Sequence, residues 1–183
     1  PVVATLDQVY VMTVSGVLSA INVDGPRTGA RWSIKLGRFS LASPVIRNDG
    51  VIETTVDHRL VAVSDDGNAA RELWQYAVPR AVEVSPAVGR SGITVLGTDD
   101  GFEYGISPAG RKLWKHATHT KSFSSPAVTR NGVAYYGDNF GALRIASAAT
   151  GAVTRTLNAH PGDNQPPDNI WTSPLIDSAG DVY

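Results

Sequence analysis

Four short segments of the chain are near-copies of one another, and their spacing constrains the fold more than any other feature. Ser43-Pro44-Val45-Ile46, Ser85-Pro86-Ala87-Val88, Ser125-Pro126-Ala127-Val128 and Ser173-Pro174-Leu175-Ile176 recur at intervals of 42, 40 and 48 residues. Seven residues after each serine stands a glycine: Gly50, Gly92, Gly132 and Gly180. Sixteen residues after the serine comes a second glycine, Gly101 or Gly141, with Arg59 at that place in the second repeat. Trp32, Trp74 and Trp114 each lie 11 residues before the next serine. A period near 40 residues marks a unit that stacks against copies of itself. Asp49-Gly50 and Asn131-Gly132 are hairpin-turn signals inside that unit.

Between the turns, short apolar or alternating runs read as strands: Val9 to Val14, Val17 to Ile21, Leu60 to Val63, Ile93 to Leu96, Phe102 to Ile106, Val133 to Tyr136 and Leu143 to Ala146. No window sustains a helical period. The 18 glycines and 11 prolines suit a chain that turns often. Four strands per repeat predict an all-β fold, a β-propeller of four-stranded antiparallel blades. The repeats run approximately over residues 1–42, 43–84, 85–124, 125–172 and 173–183, the last incomplete. That predicts about four blades plus the start of a fifth, as one partial propeller over 1–183 belonging to a larger ring. The Ser-Pro segment is expected to be the innermost strand, where proline removes a donor an edge does not need. The tryptophans are expected on the outermost strand, packing between blades.

The order Ser-Pro-Ala-Val, turn, strand, Asp-Gly, strand, Thr-Gly, Trp resembles the PQQ-like repeat of quinoprotein propellers. The nearest matches to that family's tryptophan-docking motif are Thr28-Gly29 before Trp32, Ala109-Gly110 before Trp114, and Thr150-Gly151, after which Arg155 stands in place of the tryptophan. The resemblance implies one of two classes. One is the PQQ-dependent dehydrogenases, which hold a quinone and Ca²⁺ and oxidise alcohols or sugars. The other is non-enzymatic: the propeller lipoprotein of the bacterial outer-membrane assembly complex, and sensor domains of receptors and kinases. The docking motifs are degenerate, and the chain lacks the cysteine pair that many of the dehydrogenases carry. The expectation is therefore a non-enzymatic binding or scaffold propeller without a cofactor, PQQ and calcium entering only under the dehydrogenase alternative. The family's habits imply an extracytoplasmic location, periplasmic or at the cell surface.

Composition narrows the partners. A net charge of −1 and no run of lysine or arginine give no field for nucleic acid. No segment approaches the roughly 18 apolar residues of a membrane span. With no cysteine, disulfides and thiol catalysis are excluded. Asp65-Asp66, Asp99-Asp100 and Asp138-Asn139 occupy turn positions, where such residues bond their own backbone. His116 and His119 lack a third ligand, so no metal site is expected. The connections from outer to inner strand carry Lys35, Arg38, Arg80, Lys115, His116, His119, Lys121 and His160 against few acids, which predicts a mildly basic loop face and an acidic segment of a protein or peptide partner, or an acidic small ligand. The longest of these connections, Leu157 to Ile170, breaks the period, either as a binding loop or as a tolerated loop extension. Two residues before the repeat serines stand Leu41, Glu83, Phe123 and Trp171, expected to border a funnel where the aromatics anchor a ligand or peptide. The candidate face is thus Lys35, Arg38, Arg80, His119, Lys121, Phe123, His160 and Trp171. Self-association through open blade edges is a second expected mode of partnering.

Overall fold

A computed structural model describes residues 2–4, 8–23, 29–158, 169–177 and 179–183. The described residues contain no helix, and so none long and apolar enough to cross a membrane. They form four antiparallel sheets of four strands each, the blades of a propeller. Blade one is β1 (Val2–Ala4), β2 (Gln8–Met12), β3 (Val17–Asn22) and β4 (Ala30–Lys35). Blade two is β5 (Val45–Ile46), β6 (Ile52–Val56), β7 (Arg59–Asp65) and β8 (Ala70–Ala77). Blade three is β9 (Ala87–Val88), β10 (Thr94–Thr98), β11 (Phe102–Ile106) and β12 (Lys112–Ala117). Blade four is β13 (Ala127–Val128), β14 (Val133–Gly137), β15 (Ala142–Ser147) and β16 (Val153–Asn158). Strand order within every sheet follows the chain, so each connection is a hairpin. The chain divides into two compact units, Pro1–Pro86 and Ala87–Tyr183, each holding two of the blades.

The first glycine of each repeat closes the first hairpin. In blade two, Gly50 donates to the Arg47 carbonyl (2.9 Å), Arg47 donates to the Val51 carbonyl (2.8 Å), and Gly50 sits at φ +80°. This is a three-residue loop whose last residue must be left-handed, which glycine reaches without a Cβ penalty. The same bonds recur at 89–93, 129–133 and 177–181. At 177–181 they close the start of a fifth blade, where Ile176 bridges Val182. The missing second glycine of blade two has a local cause. There the turn is the tight pair Asp57-His58, with Asp57 at φ 53° and Val56 already paired to Arg59. Arg59 is a strand residue, one step beyond the turn.

Each outer strand carries a bulge at one fixed place. The register slips between Ala20 and Ile21, Ala62 and Val63, Gly105 and Ile106, and Ile145 and Ala146. In the first three blades the bulge lies beside the tryptophan, whose cross-strand partner is small: Ala20, Ala62 or Gly105. A bulge re-aims the adjoining side chain, and in blades one and three it turns the indole toward the neighbouring blade of the same unit. In the first unit, Trp32 Nε1 donates to Asp65 Oδ1 on blade two (2.9 Å). In the second, Trp114 Nε1 donates to the Ala148 carbonyl on blade four (2.8 Å). A Cβ on Gly151 would lie 2.6 Å from the Trp114 ring, so the indole rests on bare backbone. Tyr10, Met12, Leu18, Trp32, Val61 and Val63 pack in the core of the first unit; Val95, Trp114, Ala134 and Tyr136 do so in the second.

The repeat serine has a task of its own. Ser43 N–H donates to Ser85 Oγ (2.8 Å), and Ser125 N–H donates to Ser173 Oγ (3.0 Å). Each hydroxyl thus satisfies the backbone of the same serine one repeat earlier and ties successive inner strands together. Ser85→Ala removes that acceptor and is expected to cost about 1 kcal/mol in urea denaturation. An unshifted midpoint at unchanged slope would show that the bond adds nothing.

Candidate functional site

On each blade, the connection leading to the next repeat lies against the turn between second and third strands. In the first unit, Leu36 N–H donates to the Gly16 carbonyl (2.9 Å) and Ser40 N–H to the Val14 carbonyl (3.0 Å). In the second, Thr118 N–H donates to the Gly101 carbonyl (2.8 Å) and Ser122 N–H to the Thr98 carbonyl (3.4 Å). Ile170 N–H donates to the Asp138 carbonyl (3.1 Å). The loops that carry the candidate residues are therefore framed by backbone bonds.

That frame alternates burial along the loop. The third residue before each repeat serine is buried or half-buried: Ser40, Val82, Ser122 and Ile170. The next one is exposed in three of the four, all large and apolar: Leu41, Phe123 and Trp171; Glu83 is half-buried. In the second unit, Phe123 (38% exposed) and Trp171 (65% exposed) meet with ring centroids 5.7 Å apart at 56°. The tilted contact suits two ring quadrupoles and leaves both rings open to solvent. Lys121 stands 5.8 Å from the Phe123 centroid and pairs with Asp99 at 2.8 Å. Lys121, Phe123 and Trp171 thus come together as a small platform.

The other candidates are placed separately. His119 is exposed at φ 64°, its N–H donating to the Gly101 carbonyl (3.2 Å). In the first unit, Lys35 is exposed and its ammonium donates to the Ser15 carbonyl. Arg38 and Arg80 are exposed with no side-chain partner among the described residues. Arg38 and Phe39 N–H both donate to the Asp57 carboxylate (3.2 and 3.0 Å). His160, and most of the connection Leu157 to Ile170, fall outside the described residues.

The loop face of the second unit is less basic than the loops alone suggest, because the turns beside them supply carboxylates. Lys115 lies 3.7 Å from Asp100, Lys121 pairs with Asp99, and Arg144 pairs with Asp138. Lys115 also sits over the Phe102 ring, 3.4 Å from its centroid. What the second unit offers a partner is apolar surface rather than net charge. Of the candidate residues, the two guanidiniums without a side-chain partner among the described residues, Arg38 and Arg80, belong to the first unit.

Sequence reading missed a polar cluster beneath the platform. Glu103 is fully buried on β11; Ser122 Oγ donates to its Oε1 (2.7 Å), and its Oε2 has no hydrogen-bond partner among the described residues. Burial pushes its carboxyl up to about 8, against the lowering pull of the Ser122 bond and the Arg144 charge. Burial lowers His116, helped by the Arg144 and His119 charges. Burial raises the Tyr136 phenol, and nearby Glu103 adds to it. The signal was available in the repeat: the second residue of the third strand is Leu18, Leu60 and Leu143 in the other blades. Among the described residues, no three His, Asp or Glu side chains gather as a metal site.

Blades, bulges and framed loops define the chain as a β-propeller. No family model and no curated sequence matches it. Among solved structures it is similar to BamB from Moraxella catarrhalis, with a TM-score of 0.78 at 16% identity, over 97% of this chain and 52% of that one. The chain spans about half the length of that structure, and at this identity the likeness is one of fold.

Proposed function

We propose that this chain is a non-enzymatic binding propeller that docks a protein partner by an apolar segment laid on Phe123 and Trp171. The observation that carries the reading is the pair of large rings, in tilted contact and solvent-exposed, on loops held by backbone hydrogen bonds. Rigid aromatics on a fixed frame give contact area at small entropic cost, and such residues dominate interface energies. The BamB-like fold supports the same class and an extracytoplasmic location. The PQQ-like repeat belongs to this proposal as the pattern that the docked tryptophans suggest. The unpaired Arg38 and Arg80 would favour acidic residues in whatever part of the partner reaches the first unit.

The test uses immobilised extended peptides bearing one aromatic or aliphatic anchor each. The double variant Phe123→Ala/Trp171→Ala is expected to lose affinity by about thirtyfold or more, equivalent to about 2 kcal/mol, with unchanged thermal stability. Equal capture by wild type and variant removes this face from consideration. Dye reduction with an alcohol or sugar after adding PQQ and Ca²⁺ would instead establish the dehydrogenase alternative.

A further inference from the structure

Blade three breaks its own repeat at one core position. Leu18 pairs across to Ile34, Leu60 to Tyr76 and Leu143 to Leu157; the corresponding pair in blade three is Glu103 and His116. An acid in place of leucine in a core is a local violation, of the kind proteins keep where it serves function. The surroundings are built to hold it. Gly97 on β10 leaves room, since a Cβ there would lie 2.6 Å from both Glu103 Oε1 and Ser122 Cβ. From blade four, Tyr136 faces the same layer with its hydroxyl unpartnered among the described residues, its ring 6.4 Å from that of His116. Arg144, the nearest cation on that blade, is bound to Asp138. Further out lie Asp99 with Lys121, Asp100 with Lys115, and His119. Every nearby cation except the histidines already has a carboxylate. The cover over Glu103 is Ser122, the residue preceding Phe123.

We propose that Glu103 is a proton-operated latch on the loop that presents Phe123: the protonated acid keeps Ser122 and the loop down on blade three, and loss of the proton lifts them. As regulation of a docking face this rests on the function proposed above; as a motion of the loop it does not. A neutral carboxyl tolerates the site, whereas a carboxylate there lacks water and an available cation, and both are reached by opening the loop. The proton leaves to solvent. In the open form the carboxyl is solvated and titrates in its ordinary range. Opening is therefore linked to deprotonation over the interval between that range and about pH 8. Opening parts Phe123 from Trp171 and so disperses the platform at alkaline pH.

Amide hydrogen exchange, followed by NMR on the whole chain from pH 5 to 9 and corrected for intrinsic rates, reads the latch directly. The opening constant at Ser122, Thr118 and His119 is expected to rise by about tenfold per pH unit up to about pH 8 and then flatten. Glu103→Leu, which installs the residue of the sibling blades, should abolish the slope. Leu36 and Ser40, the equivalent amides of blade one, should show none in either protein. A flat wild-type profile, or the same slope in Glu103→Leu, overturns the proposal. If that variant does not fold, the ¹³C shift of the Glu103 carboxyl in wild type decides: titration in the ordinary carboxyl range overturns the latch, and titration near pH 8 with the Ser122 slope upholds it. Peptide capture with no slope leaves the docking face without its latch; a slope with no capture leaves the latch without a docking role.

Discussion

Asp65→Ala is expected to destabilise the first unit by about 3–5 kcal/mol in urea denaturation, because it strips one carboxylate from four buried or half-buried partners. Asp65 accepts Trp32 Nε1 (2.9 Å), Tyr10 hydroxyl (2.8 Å) and Gly67 N–H (2.7 Å), and pairs with Arg31. Trp32, Tyr10 and Arg31 belong to blade one and Asp65 to blade two, so this oxygen pair joins the two sheets. Burial alone would raise its carboxyl, but the bonds from Gly67, Tyr10 and Trp32 and the Arg31 charge outweigh it and hold it below the usual range. The sign follows: the stability it adds is complete above the ordinary carboxyl range and is lost as pH falls through its depressed native value. Burial, followed by the bond to Asp65 and its charge, pushes the Tyr10 phenol up to about 12. Asp65→Asn keeps one acceptor oxygen and should cost less while losing this acid limb. A loss under 1 kcal/mol in the alanine variant would mean that the blades are held together without this junction.

The repeat was legible because its signals are local chemistry. A left-handed glycine closing a hairpin, or a proline entering an edge strand, is specified by a few neighbouring residues. The place of Trp32 and Trp114 between blades followed from register, since a large ring recurring at one offset needs a recurring slot. What stayed hidden depends on which repeats become neighbours. Ser43 and Ser85 each look like ordinary turn residues; their mutual bond exists only once the inner strands lie side by side. The loop face looked basic because the loops were weighed without the turns, and Asp99, Asp100 and Asp138 reach the same face from other parts of the chain. Phe123 and Trp171 were legible as aromatics at one offset, though not as exposed, and their contact spans the whole fourth repeat. Glu103 was the most recoverable omission. Read alone, it passes for the outward residue of an alternating strand; set beside Leu18, Leu60 and Leu143 it is an anomaly.

That anomaly gives the second large effect. With the folded carboxyl raised to about 8 from an ordinary 4.5, the native chain retains a proton over an interval in which the unfolded chain has lost it. Stability contributed by Glu103 is therefore full below the ordinary range and falls as pH rises, by about 1.4 kcal/mol per unit, levelling above about pH 8. Over the whole interval the loss amounts to at most roughly 4–5 kcal/mol, a ceiling that opening of the loop lowers by letting the carboxylate reach water. Glu103→Leu removes the titrating group and fills the site with the side chain its siblings use. The variant is expected to match wild type near pH 4.5 and to exceed it by several kcal/mol at pH 8, read from urea midpoints across that range. Asp65 and Glu103 act in opposite directions, so the wild-type profile should rise out of acid as Asp65 ionises and decline again toward alkali. The leucine variant should keep the acid rise and lose the alkaline decline. Parallel profiles for the two proteins would mean that Glu103 is charged in the native state, and a charged acid at that depth would have to be drawing Arg144 away from Asp138.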